Sequence, residues 1–207
     1  VQPAQMPELE RWVLHRLAEL DKHIREKTQA YDFHGIFTMV HDFCNSDLSA
    51  FYFDVRKDCL YCDSPTSLDR RACRTVMDYV LQCVMSWVAP ILCFTADEAW
   101  LAYTGDETDS IHLHTYFDVP ENWLNQAVSA RWSQIRSLRS EVMLALEAAR
   151  NDGTIGGGLS AEVKLAASKD TVELLKGIDL ASLLITSAAE LEAVDKSDLQ
   201  ITVRRSE

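Results

Sequence analysis

Arg70 and Arg74 stand one helical turn apart with Arg71 beside them, and Arg136, Arg139 and Arg150 recur at helical spacing further along the chain. Guanidinium groups stacked along one helix face can grip successive phosphates or lie flat on exposed bases, because each offers a planar fork of donors. The same spacing suits a solvated face, or ion pairs with Asp69, Asp78, Glu141 and Glu147. Composition favours the second use, and both remain open at this point.

Other residues could in principle do chemistry. Cys59 and Cys62 form a CxxC pair, which is half of a zinc site or a redox couple. No second CxxC follows, and a pair of small buried thiols is the plainer reading. His112 and His114, two apart, would share one face of a strand as metal ligands, yet no third ligand stands near them. Gly156-Gly157-Gly158 lacks the Lys and Ser/Thr of a phosphate-binding loop and precedes a strand-like run, so it reads as a hinge. There is no GxSxG and no HExxH, and no nucleophile, base and charge stabiliser converge on a catalytic site.

These residues depend on helices for their placement. Leu9, Val13, Leu17, Leu20 and Ile24 mark an amphipathic helix from Pro7 to Lys27, and Asp32 is an N-cap for a second through Phe37, Val40, Phe43 and Cys44. The aromatic-rich run Asp47 to Tyr61 predicts a further helical piece, closed by the turn at Asp63-Ser64-Pro65. A long helix from Ser67 to Ala89 is stopped by Pro90, and Thr95-Ala96-Asp97-Glu98 has the form of a capping box opening a short helix to Tyr103. Residues 104–128 read as a linker packed on the bundle. Ser129 to Asn151 is a late helix burying Ile135, Leu138, Val142, Leu146 and Ala149, and the glycines that break it sharply read as the best domain boundary. Beyond them Ala161–Leu165, Leu183–Thr186 and Leu199–Val203 predict strands, with one or two helical turns over Thr171–Lys176.

The expected fold is therefore mainly α: a helical bundle with an acidic linker over 1–128, then the late helix and a small α/β subdomain over 129–207. A chain of 207 residues, 47% hydrophobic, can fill such a core without metal or disulfide staples. No run is long and apolar enough to span a bilayer, no secretory signal is visible, and the six cysteines sit among helix-forming neighbours, so the expectation is a soluble, cytoplasmic protein with reduced thiols. A net charge of −12 excludes a nonspecific nucleic-acid binder. Residues 91–127 hold seven acidic side chains and no Lys or Arg, whereas 128–152 hold four Arg against three acids, so any basic surface is local. That acidic stretch also allows a helical protein-interaction module that meets a basic partner.

Tyr31-Asp32-Phe33-His34, Phe43-Cys44-Asn45, Asp47-Leu48-Ser49 and Phe51-Tyr52, taken in order, resemble the anticodon-binding region of class I synthetases for branched aliphatic amino acids. Arg56-Lys57-Asp58-Cys59-Leu60-Tyr61-Cys62-Asp63 with Arg70-Arg71 is similar to the bacterial isoleucyl-tRNA synthetases, in which an Arg often stands where this chain has Cys59. Ala89-Pro90-Ile91-Leu92, Phe94 to Trp100, Ala148 with Arg150, Ile155-Gly156 and Leu159 continue the resemblance in the same order, over most of residues 7–168. The valyl enzymes share the bundle and the Ala-Pro-Ile stretch but not usually the Lys-Asp-Cys/Arg-Leu-Tyr-Cys pattern.

The resemblance implies a parent ligase that attaches isoleucine to its tRNA with ATP and edits mischarged valine. Its HIGH and KMSKS signatures and four-cysteine zinc module are not found in this sequence, so the ATP, Mg and zinc sites would lie elsewhere and this chain would need no cofactor of its own. It further implies an anticodon stem-loop of isoleucine tRNA as partner, a monomer with no membrane contact, and two basic clusters on the RNA: Arg56, Lys57, Arg70, Arg71 and Arg74, and Arg136 with Arg139. Tyr61 or Trp132 would offer a stacking surface.

Overall fold

The computed structural model describes residues 1–195 and 199–206. Two compact units emerge, Val1–Val128 and Ser129–Glu207. The glycine run lies inside the second unit, so it is a turn within that unit rather than a boundary between domains.

In the first unit, α1 (Glu8–Gln29) buries Leu9, Val13, Leu17, Leu20 and Ile24, the residues whose spacing predicts it. Asp32 caps α2 (Phe33–Asp42) by accepting from the Gly35 amide at 2.9 Å. The chain then stays helical without a break: a π-helical stretch, Phe43–Phe53, runs directly into α3 (Asp54–Cys62). The wide turns of that stretch bury Phe43, Asp47, Leu48, Phe51 and Tyr52. A turn at residues 63–67 leads to α4 (Leu68–Val88), capped by the Ser67 hydroxyl on the Arg70 amide. Ala72, Cys73, Val76, Val80, Cys83 and Trp87 of α4 face the core, and the Trp87 indole donates to the buried Asp21 carboxylate of α1 at 3.1 Å. That bond fixes a polar edge that would otherwise be stranded inside apolar packing.

The short helix α5 (Cys93–Thr104) begins two residues before the expected capping box and has no side-chain cap, which leaves Thr95 within its first turn. Asp97 serves the following segment instead, accepting from the Ser110 hydroxyl and the Ile111 amide at 2.6 and 3.0 Å. Ile111–Leu113 is a turn of 3-10 helix.

The helix α6 (Gln126–Asn151), which from Ser129 on belongs to the second unit, buries Ile135, Leu138, Val142, Leu146 and Ala149. A three-stranded sheet of order β2-β1-β3 follows, with β1 (Ala161–Ala167) parallel to β2 (Ala188–Ala193) and antiparallel to β3 (Gln200–Arg205). Ala161, Val163, Leu165 and Ala167 alternate as the buried face of the central strand. Parallel pairing demands a crossover, supplied by the short helices α7 (Lys169–Leu174) and α8 (Leu180–Leu184). The apolar run Leu183–Thr186 is thus not a strand. Asp179 caps α8 through the Ser182 amide, and this local cap outweighs the β-propensity of Ile185 and Thr186.

Ile185 closes α8 with φ at 56°, a left-handed conformation unusual for a β-branched residue. Its carbonyl points at Gly158, where a Cβ would stand 2.6 Å away from the oxygen, while Gly157 has open space and extended backbone. Gly158→Ala is therefore expected to destabilise this unit by about 1–3 kcal/mol, and Gly157→Ala to leave it nearly unchanged. Denaturant unfolding of the two variants side by side checks this.

Candidate nucleic-acid interface

The basic residues of the first unit divide by what holds them. Arg56 on α3 points inward. Its Nε and Nη2 donate to the two carboxylate oxygens of Glu10 at 2.7 and 2.6 Å, and Tyr52 donates its hydroxyl to the same carboxylate at 3.1 Å. The Glu10 side chain is fully buried, with α1 on one side and the π-helical stretch and α3 on the other. Burial pushes the Glu10 carboxyl above its ordinary value against the pull of Arg56, and beside that carboxylate Arg56 holds its proton more firmly than a free guanidinium. Arg56 is thus an internal strut, its Nε and Nη2 engaged by Glu10, which sets it apart from the exposed cations of the same hairpin.

Arg70 is half-buried and donates through Nη1 to the carbonyl of Asp63, while the Asp63 carboxylate accepts from the Ser67 hydroxyl. It fastens the turn between α3 and α4. Lys57, Arg71 and Arg74 are the exposed cations of α3 and α4, and Tyr61 is exposed with them, as are the acidic Asp54 and Asp58. Tyr61 is 80% exposed at the end of α3, a free aromatic face on a helix that packs against the one carrying the two arginines.

In the second unit the placement differs. Trp132 is buried, 3% exposed, so its ring is not a stacking platform. Arg139 is half-buried, and its Nε donates to the Leu183 carbonyl at the end of α8. Arg131, two turns earlier, donates to the carbonyls of Leu174 and Lys176 after α7. Both close helix ends whose carbonyls lack partners within the helix. Arg136 is half-buried, and Arg150 pairs with Glu147. Within the arginine stripe of α6, then, two members are half-buried and the exposed one is paired with a carboxylate.

His112 and His114 turn to separate partners, the Cys93 carbonyl and the Asp109 carboxylate, as a 3-10 turn directs them and a strand would not. Cys59 is half-buried with its thiol pushed up to about 12, chiefly by burial, whereas Cys62 is exposed. A thiol so protonated is a poor nucleophile and metal ligand.

One feature of the site escapes the sequence reading. An apolar groove of about 410 Å³ runs between the π-helical stretch, with Cys44, Leu48 and Phe53, and the outer face of α4, with Met77, Leu81 and Val84. Arg74 and Asp78 supply the charged part of its lining. The signal was present: α4 carries Met77, Leu81 and Val84 beside Val76 and Val80, more apolar residues than a single buried stripe needs.

Residues 10–165 match the family described as the anticodon-binding domain of tRNA ligase. The chain belongs to that family. It is similar to the isoleucine--tRNA ligases of Gluconobacter oxydans, 45% identical over 91% of this chain, of Agrobacterium fabrum, 47% over 89%, and of Zymomonas mobilis, 40% over 99%. It spans about a fifth of the length of these relatives, 20%, 19% and 22% respectively.

Arg56→Ala would leave the Glu10 carboxylate buried with only Tyr52 beside it, and is expected to cost about 3–5 kcal/mol at neutral pH. With burial acting alone, the folded-state pKa of Glu10 lies above its unfolded value. Stability of the variant is then retained in acid and lost as pH rises through that raised value. Replacing both partners by Met should recover much of the loss, which chemical denaturation between pH 4 and 8 will show.

Proposed function

We propose that this chain is the part of an isoleucine--tRNA ligase that holds the anticodon arm of isoleucine tRNA. The carrying observation is the family match over residues 10–165, which falls on a bundle whose free cations and aromatic ring share the α3–α4 hairpin. Lys57, Arg71 and Arg74 neutralise backbone phosphates, and Tyr61 stacks on a base splayed from the loop. Phosphate contacts set where the RNA lies, and contacts to base edges decide which RNA it is. In the parent enzyme, attachment of isoleucine with ATP takes place in other parts of the polypeptide, so this module lowers the free energy of the correct tRNA in place and leaves bond-making to them. The reading takes the protein to act as a monomer in the cytoplasm.

The net charge of −12 limits what the interface can be. Long-range attraction to RNA is weak, so affinity rests on a few local cations, and discrimination between loops follows from contacts at short range. Arg56, tied to Glu10, contributes by holding α3 against α1 rather than by touching RNA.

A titration of the chain against an isoleucine tRNA anticodon stem-loop and a scrambled-loop hairpin, at several salt concentrations, tests the proposal. Tighter binding to the cognate loop is expected. Arg71→Ala and Arg74→Ala should each weaken it and reduce the slope of log affinity against log salt by about 1. Equal binding to the two loops would overturn the proposal.

A further inference from the structure

The groove between the π-helical stretch and α4 combines three chemistries in one place. Its walls are apolar and adaptable: Phe53 and Leu48 on one side, Met77, Leu81 and Val84 on the other. Arg74, at one position of the lining, is exposed and belongs to the free basic cluster, with Arg71 on the preceding turn of α4. Asp78, one turn further along, is half-buried and already fixed: one carboxylate oxygen accepts from the Tyr103 hydroxyl at 2.8 Å and the other from the Gln82 amide at 3.0 Å. Each of those oxygens keeps a further lone pair.

An apolar slot, a cation at hand and an immobilised acceptor form a site for one nucleotide, with the ring in the slot, the phosphate on the cation and the exocyclic amine on the acceptor. The volume of about 410 Å³ lies in the range of clefts, roughly 300–1,000 Å³, that hold small ligands. Charge also argues for this occupant over a protein segment. A purely apolar helix or loop would bring no anion to Arg74, whereas a nucleotide brings a phosphate to it and a donor edge to the lone pairs that Asp78 keeps. Met77 and Leu81 remain 37% and 40% exposed, a large apolar surface to leave in water on a helix that is otherwise well packed.

We infer that this groove receives one unstacked base of the RNA loop, with Arg74 on its phosphate and Asp78 accepting from an amino group on the base edge. The inference rests on the anticodon-binding reading above and adds to it a place and a preference. Guanine, adenine and cytosine present an exocyclic amine whereas uracil offers only its ring N3–H, so Asp78, placed for the amine, favours the first three. Tyr61, on α3, would then serve a different base.

The test uses the same chain and hairpins, with two variants. Leu81→Trp fills the groove from a half-exposed position, and Asp78→Ala removes the acceptor without adding bulk. Leu81→Trp is expected to weaken binding of the cognate hairpin about tenfold with the salt slope unchanged, since no phosphate contact is lost. A hairpin lacking the base at one loop position should show the same loss, and Leu81→Trp should cost nothing more on that RNA. Asp78→Ala should remove the preference over uracil at that same position. If both variants bind every hairpin as the parent chain does while Arg71→Ala and Arg74→Ala weaken it, the groove is not a base site. A protein-docking groove would give that result, and the anticodon reading would survive it. If the parent chain fails to distinguish the cognate from the scrambled loop, the anticodon reading falls and this inference falls with it.

Discussion

The Glu10 carboxylate is the point on which the first unit hangs. It sits on α1, fully shielded from water, and its three hydrogen bonds come from Arg56 and Tyr52, more than 40 residues on in the chain. A buried charge is tolerated only when its partners are fixed, so the pair forces α1, the π-helical stretch and α3 into one arrangement. Apolar packing of Leu14, Leu17, Ile36, Phe43 and Trp87 supplies the greater part of the favourable free energy, but it is not directional and would accept a slipped helix. The ion pair would not. It aims α3, and with it Lys57 and Tyr61.

Much of the bundle was legible because its signals are local. Apolar spacing marks α1, α4 and α6, and Asp32 and Ser67 announce helix starts that the structure keeps. Failures came where two local signals competed. Thr95-Ala96-Asp97-Glu98 has the form of a capping box, but α5 had already begun at Cys93, and Asp97 went to the next segment. Leu183 to Thr186 has the composition of a strand, yet the cap at Asp179 made the preceding residues a helix. The real second strand, Ala188–Ala193, is built of Ala and Glu with a single Leu, poor strand formers that are held there by pairing with β1.

Side-chain roles were less legible than elements. An arginine in the sequence looks the same whether it faces RNA or a buried carboxylate, and the partner that decides it for Arg56 is 46 residues away. Arg139 and Arg131 show a second case. They close the carbonyl ends of α7 and α8, and neither helix is long enough to be stable without such contacts. Guanidinium groups are well suited to this, since one fork can reach two carbonyls at once, as Arg131 does with Leu174 and Lys176.

The π-helical stretch has a consequence of its own. A helix bonded at i→i+5 turns less per residue than an α-helix, so over the eleven residues Phe43–Phe53 the two windings drift apart by a sizeable part of a revolution. Everything downstream inherits that angle. A residue gained or lost within the stretch would swivel α3 about its axis without breaking the rod, and so re-aim Lys57 and Tyr61 together. The stretch works as an angular adjuster: sequences that wind it differently can point the same pair of side chains at a differently shaped RNA loop while the rest of the bundle stays as it is.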